Sequence, residues 1–139
     1  MDPTSSAVFD ELVLRYEGCY GSCPQYEVEV RRGGAARWVG MAHTPREGTF
    51  VGEIDVQDYA RLCRAAETAD LTRLEASYWT REMHGPTVVV EWVQGDRKGT
   101  IRVEGEGGGP EDFRAFRALF DELASTIQWR PVGESRSGG

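Results

Sequence analysis

Apolar and polar residues alternate most strictly at Tyr26, Val28 and Val30 against Glu27, Glu29 and Arg31, which predicts a strand with one dry and one wet face. A first strand is expected from Phe9 to Tyr16, where Leu12 and Leu14 alternate with Val13 and Arg15. Between the two, Glu17-Gly18-Cys19-Tyr20-Gly21-Ser22-Cys23-Pro24 gathers glycines and a proline that demand a turn. Gly33-Gly34 supplies positive φ angles for a hairpin returning through Ala35 to Val39. Met41 to Glu47 reads as a loop, followed by an extended piece at Thr49 to Gly52.

The period then changes. Asp55 is a good N-cap for a helix from Val56 to Ala69, in which Tyr59, Leu62, Cys63 and Ala66 share one face. Leu71 to Pro86 has no period and reads as a long connection carrying Tyr78, Trp79, Met83 and His84. Thr87 to Val93 is rich in β-branched residues and predicts a buried strand, turned by Gln94 to Gly99 into Thr100 to Val103. Pro110 at the first helical position opens a second helix, whose apolar stripe is Phe113, Phe116, Phe120, Leu123 and Ile127. Trp129-Arg130-Pro131 ends it. These elements sum to an α+β fold, an antiparallel β-sheet with two amphipathic helices on one face, in the order ββββ-α-ββ-α. One globular domain is expected over residues 9–131, with flexible termini at 1–8 and 132–139.

Charge narrows the partners. The 139 residues carry 23 acidic against 16 basic side chains, a net charge of -7, so nucleic acid and anionic membranes are not expected; the excess serves either simple solubility or a partner protein with a basic surface. Met1 to Ser6 shows no leader pattern, and no run approaches the roughly 18 apolar residues of a membrane span, so a soluble, cytoplasmic protein is expected. Three cysteines, Cys19, Cys23 and Cys63, leave at least one thiol unpaired within the chain.

Candidate chemistry centres on Cys19 and Cys23. Gly21 and Pro24 allow the chain to bring the two sulfurs together in a disulfide, whether structural or redox-active. Zinc is an alternative, with Cys19, Cys23, His43 and His84 as the ligand set; Cys63 falls on an apolar helix face and reads as a small buried hydrophobe. A purely structural bend, with Pro24 entering the strand and Tyr26 packed inward, is the reading preferred. The run Gly105 to Gly109 lies between a strand and a helix, but it lacks the Lys-Ser or Lys-Thr of a phosphate loop and is flanked by carboxylates. No Gly-x-Ser-x-Gly segment is present, so no catalytic set is assembled. Tyr78-Trp79 is a candidate anchor for a partner.

The segment Cys19-Tyr20-Gly21-Ser22-Cys23-Pro24-x-Tyr26 resembles the signature of a bacterial family described only as domain of unknown function 6438. The resemblance spans about residues 11 to 130 and implies one intact domain, without an assigned activity. Many relatives are exported or lipid-anchored, a feature not read in this chain, and His84 stands where members tend to place an Asp. The function expected is a non-catalytic binding or protein-interaction module without a cofactor, its binding residues being Cys19, Tyr20, Cys23, Tyr26, Tyr78, Trp79 and His84. The alternative is a thiol redox or zinc-binding protein using the Cys19/Cys23 pair.

Overall fold

Alternation along the strands decides which side of the sheet is dry. In β1 (Glu11–Glu17), β2 (Gln25–Arg31) and β3 (Ala35–Ala42), Leu12, Leu14, Val28, Val30, Ala36 and Trp38 all point to one face and are buried there. A one-residue slip would send each of these to water, so the pairing Leu14↔Val28 and Val28↔Trp38 is strongly specified. The computed structural model describes residues 9–18, 23–79, 87–104 and 108–132.

The chain continues through β4 (Gly48–Glu53), α1 (Val56–Thr68), a one-turn 3-10 helix at Leu71–Arg73, β5 (Ser77–Trp79), β6 (Thr87–Gln94), β7 (Arg97–Glu104), α2 (Glu111–Ala124) and β8 (Arg130–Pro131). All eight strands form one sheet in the order β5-β7-β6-β1-β2-β3-β4-β8. Both helices lie on its dry face, where Leu62 and Ala66 of α1 and Phe113, Phe116 and Phe120 of α2 join the strand residues in one apolar cluster. Asp55 caps α1, its Oδ1 accepting from the Gln57 N–H at 2.7 Å. Asp70, at φ 61°, takes the left-handed conformation that stops the helix.

Four expectations need correction. The sheet is mixed, because β5 runs parallel to β7, with the Arg102 N–H donating to the Ala76 carbonyl at 2.8 Å. That strand lies in the stretch expected to be an irregular connection, and three residues are too few for a period of two to register. The order is also longer than ββββ-α-ββ-α: β8 pairs with β4 through Phe50↔Pro131 and Val51↔Arg130, and its proline is tolerated because β8 is an edge. Next, the turn between β6 and β7 is the two-residue Gly95-Asp96 in place of Gln94 to Gly99. Gly95 takes φ 66° and donates its N–H to Asp10 Oδ2 at 2.7 Å, so Arg97 to Gly99 join the strand. Pro110 is the N-cap of α2, one position before the helix proper.

The Gly33-Gly34 hairpin stands as expected, with φ values of 101° and 107°. Gly40 has a different role: a Cβ there would sit 1.8 Å from the Arg46 carbonyl oxygen, so only glycine lets the 43–46 loop fold back on β3. That loop presents the Arg46 carbonyl to Trp38 Nε1 at 2.9 Å and stacks the Arg46 guanidinium over the Trp38 ring.

Candidate functional site

Strand register brings the described candidate residues, Cys23, Tyr26, His43 and Tyr78, to one end of the sheet. Glu17↔Thr87, Thr87↔Glu104 and Gln25↔Ala42 place the end of β1, the starts of β2 and β6, and the ends of β3 and β7 side by side. Cys23, Tyr26 and His43 therefore gather there, with Tyr78 beside Val103 near the end of β7. Cys19, Tyr20 and His84 lie outside the described residues, as does the side chain of Trp79.

At this end Tyr16 and Tyr26 are directly opposed across β1 and β2, and both hydroxyls donate to the carboxylate of Asp121 on α2. The Tyr26 bond to Oδ1 is 2.9 Å long, and Arg117 Nη1 donates to the Tyr16 hydroxyl at 3.1 Å. Burial first, and the Asp121 charge second, push both phenols well above the ordinary tyrosine range, with Arg117 opposing this at Tyr16. Both are therefore neutral donors near pH 7, unsuited to act as nucleophiles or bases. Aromatic contact carries on across the sheet, with Tyr26 stacked on Trp38 at 4.6 Å between centroids and Trp38 tilted against Trp129 at 5.9 Å. Arg117 and Asp121 are spaced i,i+4 beside the phenylalanine stripe; that spacing is a signal present in the sequence but not read from it.

The cysteines divide. Cys23 is disulfide-bonded, while Cys63 is free and buried, its thiol pushed up by desolvation against the pull of the Phe9 backbone and Tyr59. A buried thiol held in its protonated form is a poor nucleophile. Of the residues considered for zinc, only Cys23 and His43 are described, and among the described residues no three His, Cys, Asp or Glu side chains are placed to share a metal ion. Tyr78 packs against the core and its hydroxyl accepts from the Glu75 N–H at 3.1 Å, so its exposed area is limited.

A second feature is the face of the sheet turned away from the helices. Val13 and Val89 point to it and are buried, yet stand apart from the main apolar cluster. Long charged side chains surround them. Arg15 donates through Nε to Glu17 at 3.3 Å, through Nη1 to Glu27 at 3.1 Å and through Nη2 to Glu91 at 3.3 Å. Arg31 meets Glu29 at 2.6 Å and Glu11 at 3.8 Å, and Arg102 meets Glu17 at 3.0 Å. On the three central strands this face thus holds five carboxylates (Glu11, Glu17, Glu27, Glu29, Glu91) against two guanidiniums, Arg15 and Arg31. Arg37, Lys98, Arg102 and Arg130 stand on the flanking strands with Glu53 and Glu104, so negative charge is concentrated at the centre. Glu11 registers it: burial, then Glu29, raise its pKa, and Arg31 only partly offsets them.

Among the described residues no helix is long and apolar enough to cross a membrane. Comparison with curated proteins finds no match. The model of a family described as Domain of unknown function (DUF6438) matches residues 10–124, from the residue before β1 to the last residue of α2, leaving β8 outside the matched span. With most of its length inside that match, the chain belongs to the DUF6438 family.

Proposed function

We propose that this domain is a non-catalytic binding module that receives a basic protein surface on its open sheet face. The observation that carries the reading is the ratio of five carboxylates to two guanidiniums on β6, β1 and β2. Each exposed ion pair contributes at most about 1 kcal/mol to folding. Burial first, and the neighbouring Glu29 second, make the charged form of Glu11 costly, and a cationic partner relieves the like-charge part of that cost while being steered by the same field. The titratable groups on the opposite, helix-covered face do not favour turnover either, since Tyr16 and Tyr26 are held as neutral donors and Cys63 is buried.

Cys23 enters as architecture. Cys23 is held in a disulfide at the entry to β2 and Cys63 is free and buried. A cystine is neither a zinc ligand nor a nucleophile, so the redox and zinc readings rank second. A disulfide here also favours an oxidising compartment over the cytoplasm expected from the sequence.

The test uses a lysine decapeptide as probe, titrated calorimetrically at low salt and again at about 0.5 M salt, where screening is nearly complete. Glu27→Gln with Glu91→Gln should weaken binding several-fold, whereas Glu67→Gln with Glu122→Gln, exposed carboxylates on the helices, should leave it unchanged. Equal loss from both pairs would mean that the probe reads only net charge, and the proposal would fall.

A further inference from the structure

The open face is not uniformly charged. Beyond β2 it carries apolar positions between charged ones: Val39 of β3 and Val51 of β4 are half-buried there, and Met41 is 49% exposed, with Arg37 and Glu53 on the same strands. Between the acidic centre and this strip lies a depression of about 240 Å³ lined by Glu29, Arg31, Ala35, Arg37 and Val51, large enough for an aliphatic or lysine side chain. Acid and apolar area are therefore juxtaposed on one surface, and an occupant must match both.

The backbone restricts the occupant further. The N–H and C=O groups of β1, β2, β3 and β6 are committed to neighbouring strands on both sides, so this face has no main-chain partners to offer. A segment laid across it must satisfy its own backbone, and a helix does so. Laid along β2 and β3, such a helix has the acidic band beneath one side and the apolar band beneath the other, and the seven residues of β2, about 23 Å, match a helix of about 15 residues.

Resting on the basic-partner reading, we infer that the open face docks an amphipathic helix of a partner protein, with a Lys/Arg stripe over Glu27, Glu29 and Glu91 and an apolar stripe over Val39, Met41 and Val51. The central charge selects the basic stripe, the β3–β4 strip and its depression take the apolar one, and Arg37 and Arg130 at the rim disfavour a helix that is basic along both stripes.

Two synthetic peptides of identical Lys/Leu/Ala composition test this. One places Lys and Leu in adjacent helical stripes, and the other has the same residues scrambled. At about 0.15 M salt the striped peptide should gain helical circular dichroism on binding and bind at least tenfold tighter than the scrambled one. Met41→Thr with Val51→Thr, both compatible with strands, should remove most of that preference without changing scrambled-peptide affinity. Equal binding of the two peptides, with both weakened by Glu27→Gln and Glu91→Gln, overturns the helix inference while leaving the basic-partner reading intact. Absence of binding by either peptide overturns both. Indifference of the striped peptide to the Met41 and Val51 substitutions overturns the apolar half of the site.

Discussion

Replacing Asp121 by alanine removes the shared acceptor of two opposed tyrosines. Tyr16 and Tyr26 then keep their half-dry positions between the sheet and α2 but lose the carboxylate to which both donate, and Arg117 loses the negative group near the phenol it contacts. A hydrogen bond to a charged partner contributes roughly 1.5–3 kcal/mol, so two fully buried ones would give about 3–6. The cluster is only partly buried and water can replace part of what is lost, which lowers the expectation to about 2–3 kcal/mol. Tyr26→Phe alone should cost about 1 kcal/mol. Urea unfolding followed by tryptophan fluorescence suits the measurement, because Trp38 stacks directly on Tyr26. The double variant supplies the sharper figure: Asp121→Ala with Tyr26→Phe should destabilise less than the sum of the singles by at least about 0.5 kcal/mol. A loss under about 0.5 kcal/mol for Asp121→Ala, or strict additivity in the cycle, would refute the argument that this carboxylate ties α2 to the strand ends.

Other expectations follow from the same geometry. Because burial and Asp121 raise the folded-state pKa of Tyr16 and Tyr26 above the usual 10.0, stability should be intact below about pH 10 and fall as pH rises beyond it; phenolate absorbance should show these tyrosines ionising only with unfolding. Glu11 is raised from 4.5, so its charged form opposes folding above that pH. Glu11→Gln should raise the melting temperature at pH 7 and lose this advantage below about pH 4; an unchanged melting temperature at pH 7 would count against a Glu11 charge disfavoured first by burial and then by Glu29. A thiol reagent should find no fast-reacting cysteine in the native protein, one after unfolding without reductant, and three after reduction. Two or more thiols before reduction would contradict the disulfide.

How much of this was legible in the sequence depends on the range over which each signal acts. Val28, Val30 and their charged neighbours declare a half-wet strand because alternation is local, and the phenylalanines of α2 declare a helix face for the same reason. β5 and β8 escaped because strands of three and two residues exist only through the partner that holds them. The wet faces of β1 and β2 could be read individually; that Arg15 stands among Glu17, Glu27 and Glu91 could not, since it depends on β6 pairing with β1 across 70-odd intervening residues. Tyr26 was expected to pack inward and does, but its acceptor lies 95 residues away. Sequence spacing holds no trace of such a contact beyond the i,i+4 placement of Arg117 and Asp121.

The position of β1 in the strand order has a kinetic consequence. The earliest strand made is flanked by β2 on one side and by β6 on the other, so its second edge has no mate until residue 94 has emerged from the ribosome. Until then Leu12 and Leu14 border a bare ladder edge that invites pairing with other chains. Non-local closure of this kind slows folding. Nascent or truncated forms ending before β6 should consequently depend on chaperones and aggregate on their own, whereas a chain that includes β6 seals that edge itself.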